Sequence, residues 1–176
     1  MGLFYLFILS ITVNNSILAQ SNDSISPAVY YFENGQVSSE GSLKDGKPDG
    51  YWKSYYPTGV LKTEGNRENF LLDGIWKFYS EQGMLSLTID YKENLKDGTR
   101  ITYKGTKPYK IERFKADAKS GLTEIFYQNG KLKSQGPYSN GAKNGIWTFY
   151  YENGKKQQIG KFKDEIVPIE VKLRKE

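Results

Sequence analysis

Residues 50–65, GYWKSYYPTGVLKTEG, decide the fold. The stretch has a short aromatic run, a turn pair at Thr58-Gly59, and a run that alternates apolar and polar residues. The same pattern returns as GIWTFYYENGKKQQIG at 145–160. Between them one glycine series stands at 50, 74, 98, 121 and 145, with spacings of 24, 24, 23 and 24 residues. A second series, at 35, 59, 83, 105, 130 and 154, keeps nearly the same period. A period in this range marks a stacked array, in which each unit buries its apolar surface only against its neighbours.

The turn pairs Asn34-Gly35, Thr58-Gly59, Gln82-Gly83, Asn129-Gly130 and Asn153-Gly154 each join two strand-like runs. Asn-Gly between such runs is the strongest short hairpin signal, because both of its residues tolerate positive φ. A second turn closes each unit, at Asp45-Gly46 with Lys47-Pro48-Asp49 and at Asn140-Gly141 with Ala142-Lys143-Asn144. One unit is therefore one hairpin. The expected fold is all-β, an antiparallel meander of about 11–12 strands in six units of about 24 residues. At about 4.8 Å per strand it would extend roughly 50–55 Å.

Register follows if Thr58-Gly59 is a two-residue turn. Trp52 then opposes Gly65, Ser54 opposes Thr63 and Tyr56 opposes Leu61. The same rule sets Trp147 opposite Gly160, Trp76 opposite Ile89 and Phe78 opposite Leu87. A Trp across a cross-strand Gly covers exposed backbone, which gives Trp52, Gly65, Trp76, Trp147 and Gly160 a structural reading. The other face then holds Tyr55 opposite Lys62 and Lys53 opposite Glu64, together with Tyr79, Tyr103, Phe126 and Tyr150. A turn with a glycine bulge would shift the register by one and scramble this sorting. The two-residue turn is preferred because its apolar residues coincide.

The pattern resembles the MORN-repeat variant family, whose bacterial units read roughly Tyr-Tyr-x-Asn-Gly, Glu-Gly, Gly-Lys-x-x-Gly-x-Trp. The resemblance spans residues 30 to about 163. The middle units depart from it: Arg100 and Thr123 replace the Trp, and Gly105 lacks a preceding Asn. The resemblance implies an array of β-hairpins. It also implies an antitoxin-like role, since many bacterial members are described as antitoxin-like components of toxin–antitoxin systems.

Residues 1–20 stand apart from the array. Leu3 to Val13 is uncharged and strongly apolar, and Ile-Leu-Ala-Gln ends at Gln20. This reads as a secretory signal peptide, although no Lys or Arg precedes Lys44. The run is short for a spanning helix. The expected location is periplasmic or extracellular, with a membrane tether as the alternative should the leader be retained. Residues 21–29 read as a short linker and 30–165 as the array. Residues 166–176 read as a last strand or cap for the open edge, with Ile169, Val171 and Leu173 alternating against Glu170, Lys172 and Arg174.

The chain has no Cys and no His. That excludes a thiol nucleophile, an imidazole base, a disulfide framework and the usual zinc sites. Asp49, Asp73, Asp97 and Asn144 precede glycines and read as turn residues rather than as a metal rim. The glycine-rich turns carry no nucleotide-binding pattern. No catalytic residue, metal site or cofactor is expected.

Tyr55, Tyr79, Tyr103, Phe126 and Tyr150 form a column with one aromatic per unit, interleaved with Lys53, Lys62 and Lys77. Such a column can stiffen the sheet as a packing ladder, and it can present rigid contacts to a partner. The expected function is an exported, non-catalytic binding or scaffold module that offers this face to a protein. The alternative is an envelope binder of carbohydrate or anionic surfaces. It would use the Tyr column and the basic end, where residues 131–176 hold ten Lys/Arg against five Asp/Glu. No specific nucleic acid partner is predicted.

Overall fold

The computed structural model describes residues 24–163 and 170–173. The leader lies outside the described residues. Six antiparallel hairpins follow one another: β1 (Ile25–Tyr31) with β2 (Val37–Lys44), β3 (Lys47–Tyr55) with β4 (Leu61–Glu68), and β5 (Leu71–Tyr79) with β6 (Leu85–Lys92). Then come β7 (Leu95–Lys104) with β8 (Lys107–Lys115), β9 (Ala118–Lys119) and β10 (Gly121–Phe126) with β11 (Leu132–Ser139), and β12 (Ala142–Lys143) and β13 (Gly145–Tyr150) with β14 (Lys156–Phe162). The last element, β15 (Glu170–Leu173), pairs with β14. All strands lie in chain order in one 15-stranded sheet, an open meander. The count exceeds the expected 11–12 because breaks at Ser120 and Asn144 split two long strands and β15 adds an edge. β1 starts at Ile25, so residues 25–29, read from the sequence as linker, belong to the sheet. Pro27 sits on this edge strand, where a missing N–H costs least.

The six Gly-containing turns explain the period. Five of them enclose three residues. In the second of them Gly59 N donates to the Tyr56 carbonyl and Tyr56 N donates to the Val60 carbonyl, both at 2.8 Å. Gly59 alone has positive φ, +83°, which is the geometry of a type I turn followed by a glycine bulge. This corrects the two-residue turn expected from the sequence. Tyr55 faces Leu61, and Tyr56 does not. Lys62 is the extra residue of a second bulge, stacked over the Tyr56 ring rather than opposite Tyr55. The two bulges cancel, so Ser54–Thr63, Lys53–Glu64 and Trp52–Gly65 pair as expected. Trp76–Ile89, Phe78–Leu87 and Trp147–Gly160 do the same. The exception is Gly105-Thr106, a two-residue turn between Lys104 and Lys107. One residue fewer in that loop accounts for the single spacing of 23. Despite Arg100 and Thr123, both middle units keep full hairpin pairing.

The turns between units are tighter. Asp45-Gly46, Asn69-Phe70, Glu93-Asn94, Ala116-Asp117 and Asn140-Gly141 all carry positive φ at both residues. That is the type I′ geometry whose twist matches the strands.

The core lies on one face and rests on tryptophan laid over glycine. The Trp52 ring covers Gly41, where a Cβ would come within 2.5 Å of the indole. Trp76 covers Gly65 and Trp147 covers Gly136 in the same way. Each Trp thus covers the glycine eleven positions earlier (41 and 52, 65 and 76, 136 and 147). Each indole also donates to a backbone carbonyl at the unit boundary: Trp52 to Ser42 (3.0 Å), Trp76 to Asn66 (2.8 Å) and Trp147 to Pro137 (3.0 Å). The sequence placed the cover on the hairpin partner across the turn. The rings turn the other way, onto the preceding unit. Gly160 therefore faces Phe162 and Phe149, not the Trp147 ring, and a Cβ there would meet Phe162 at 2.8 Å.

Gly65→Ala is expected to cost about 1–3 kcal/mol, because overpacking forces the indole off its seat. In a Trp76→Thr background the same change is expected to cost under about 0.5 kcal/mol, since contacting residues couple. Urea unfolding of the four proteins in this cycle measures the coupling. Equal costs in both backgrounds would contradict the Trp76–Gly65 contact.

Candidate functional site

The sheet has two faces of different chemistry. One holds Trp52, Trp76, Ile89, Trp147 and Phe162, all buried. The other is crossed by one continuous row of paired residues: Val29, Glu40, Lys53, Glu64, Lys77, Thr88, Ile101, Ile111, Glu124, Gln135, Thr148 and Ile159. Call these the Trp face and the Tyr face.

The Tyr column lies on the second face, half-buried along its length. Three of its hydroxyls, those of Tyr55, Tyr79 and Tyr150, bond to the preceding unit. Tyr55 Oη donates to Glu40 (2.6 Å) and Tyr79 Oη donates to Glu64 (2.7 Å). Tyr150 Oη accepts from Gln135 Nε2 (3.4 Å). Where Phe126 replaces Tyr, the residue fifteen positions earlier is Ile111, which needs no donor. The lysines join the same groups: Lys77 pairs with Glu64 at 3.1 Å and Lys53 lies 3.9 Å from Glu40. Burial, then the carboxylate beside each, pushes the Tyr55 and Tyr79 phenols up to about 12. The Tyr79 hydrogen bond is the main reason the Glu64 carboxyl sits below the usual range. The column thus ties unit to unit.

A second column on this face is freer. It consists of the residue between each boundary glycine and the Trp position. Tyr51 is 50% exposed, Ile75 62%, Leu122 37% and Ile146 62%, with Thr99 in the middle unit. Sequence reasoning passed over these residues, although the Gly-x-Trp spacing carried the signal: x alternates with the Trp and so points away from the core. Val29 and Ile159 extend the exposed apolar surface at the two ends of the row.

The centre of the Trp face holds the other feature the sequence did not disclose. Arg100 and Thr123 occupy the Trp positions there, and Ile89 and Glu112 occupy the glycine positions eleven residues earlier. Glu112 is only 2% exposed. It pairs with Lys119 at 2.7 Å, Lys110 at 2.9 Å and the directly opposed Arg100 at 3.9 Å. Burial works against its charge, but the bonds from Lys119 and Lys110 win and hold the carboxyl below the ordinary 4.5. Nearby, Lys119 lies over the Tyr138 ring and Lys143 over those of Trp147 and Phe162. Among the described residues, no group of three or more His, Cys, Asp or Glu is placed to hold a metal ion.

Both carboxyl shifts bear on acid stability. A carboxyl whose pKa falls on folding stabilises the protein above its unfolded value, and that contribution disappears as the pH drops through the folded value. Stability linked to Glu64 and Glu112 is thus expected to be present above pH 4.5 and lost below it. Glu112→Gln should flatten this acid limb in urea titrations against pH. An unchanged limb would show that Glu112 is not charged in the folded chain.

The MORN repeat variant matches residues 27–45, 48–69, 72–93, 119–140 and 143–164. The unmatched stretch, 94–118, is the unit with Arg100, Glu112 and the shortened turn. Residues 119–140 match although Thr123 replaces the Trp. No curated protein matches the chain. MORN repeats are generally found in non-catalytic repeat proteins. With five repeats covering over half its length, and one open sheet of successive hairpins, the chain belongs to the MORN repeat variant family.

Proposed function

We propose that the chain is an exported, non-catalytic scaffold that binds a protein partner on its Tyr face. One observation carries this reading: the column Tyr51, Ile75, Leu122 and Ile146 exposes a large apolar side chain on the same face in four of the six units. Single exposed apolar residues need no explanation, whereas apolar side chains repeated at one register position of one face, with Asn66, Asp90 and Lys161 paired beside them, suit an interaction surface of apolar contacts in a polar surround. Tyr51 and Ile75, like Leu122 and Ile146, lie two strands apart, about 10 Å, and Thr99 interrupts the column between the two pairs. The Glu–Lys–Tyr groups beside them supply a polar rim. The apolar leader supports export. The antitoxin-like role implied by the family resemblance rests on no residue of this chain, and the repeat match lends it no support.

A second reading, a carbohydrate binder, rests on a shallow groove of about 320 Å³ lined by Pro27, Val29, Glu40, Ser42, Tyr51 and Lys53. It joins an aromatic ring to hydrogen-bonding groups, but it occupies one end of the array only.

The test begins with crosslinking and capture from the native envelope. Ile75→Ser with Ile146→Ser is expected to cut partner affinity at least about tenfold, the equivalent of about 1.4 kcal/mol. Thermal stability should stay within a few degrees, since exposed substitutions usually change stability by about 0.5 kcal/mol or less. Tyr55→Ser with Tyr79→Ser should instead lower stability, because both hydroxyls and rings link neighbouring units. Full capture by the Ile double variant would show that the apolar column is not the docking surface.

A further inference from the structure

The gap in the Trp column points to a binding site on the face opposite the one just described. Two indoles are missing in succession, at Arg100 and Thr123, between the seated Trp76 and Trp147. What fills the space is rich in donors and poor in acceptors. Arg100, Lys110 and Lys119 share one carboxylate, Glu112. Among the described residues it is the only carboxylate paired with any of the three. A guanidinium offers five donors and each ammonium three, far more than one carboxylate can accept. Two further polar atoms have no hydrogen-bond partner, Arg100 Nε and Thr123 Oγ1. The cations are nevertheless reachable, with side chains 36%, 29% and 25% exposed. Other cations of this face, Arg67 and Lys143, lie over aromatic rings and bring no acceptor to the cluster.

We infer that this cluster accepts a carboxylate side chain from an acidic segment of a protein partner. Arg100 offers a planar fork suited to a carboxylate, and Lys110 and Lys119 offer flanking point charges. Glu112 acts as the internal acceptor that holds the three cations together until a second one arrives. The site lies on the Trp face, so it stands independently of docking on the Tyr face.

Hexaglutamate, inorganic phosphate and the purified chain suffice for a test by amide chemical-shift titration. Hexaglutamate is expected to shift residues around Arg100, Lys110, Glu112 and Lys119 saturably, and to weaken steeply as salt rises. Arg100→Gln with Lys119→Gln should weaken binding at least about tenfold, by loss of charge-assisted hydrogen bonds. Glu112→Gln should strengthen it several-fold, because a competing carboxylate is gone. This opposite sign separates a binding site from a purely structural ion cluster, and melting curves identify any variant that does not fold. Shifts scattered over the lysines of residues 131–163 would overturn the proposal. So would phosphate binding as tightly as hexaglutamate, or a Glu112→Gln protein that folds and binds no better.

Discussion

An indole can lie flat on a strand only if the strand has no side chain beneath it. This constraint organises the whole sheet. Among the described residues no second sheet or helix covers this single layer, so its apolar side is closed by its own side chains. Trp is the largest available plate, and laid across Gly41, Gly65 and Gly136 it covers backbone and side chain together. The indole N–H then meets a carbonyl at the unit boundary instead of being buried without a partner. Because each ring reaches back one unit, the contact joins hairpins rather than closing one. Cohesion therefore runs along the array as a chain of neighbour contacts.

The chain shows what happens when one half of such a pair changes. At the centre of the array, where the plate is lost, the glycine is lost too: Arg100 goes with Ile89, and Thr123 with Glu112. A Cβ at either position would be intolerable under an indole, and bare glycine would leave backbone open without one. The Tyr face follows the same logic with hydrogen bonds. Tyr55 and Tyr79 have carboxylates to receive their hydroxyls, Tyr150 has a glutamine, and Phe126 has Ile111. Matching a donor with an acceptor, or neither with neither, avoids the cost of a half-buried polar group without a partner. Glu112 is the costly case. A carboxylate taken out of water is tolerated only because Lys110, Lys119 and Arg100 surround it.

Much of this was legible in the sequence and some of it could not have been. Glycine spacing disclosed the hairpin array, and alternation sorted the two faces. The pairing at Trp52–Gly65 and Trp147–Gly160 followed from it, although the turn type was misjudged. A glycine bulge and a compensating bulge at Lys62 restore the register two residues from the turn, and no local pattern distinguishes that from a simple turn. The direction in which the Trp rings lean is a side-chain choice, invisible to pairing rules. Which aromatic column stays exposed depended on the Tyr–Glu bonds, which join residues fifteen positions apart. The central ion cluster needed three separate strands to be laid side by side.

The middle unit is where the family pattern fails to match and where both departures from the Trp–Gly rule meet. In a globular domain such a run of changes would disturb a shared core. Here each unit answers only to its neighbours, so the array can accept a charged segment provided the adjoining units are regular. Trp76 on one side and Trp147 on the other supply that regularity. The departure is thus confined, and it gathers three cations around one buried carboxylate on the Trp face. A repeat fold gains chemical variety in this way without changing its backbone: β7 and β8 pair as fully as any other hairpin while carrying Arg100 and Glu112 at positions that hold Trp and Gly in the regular units.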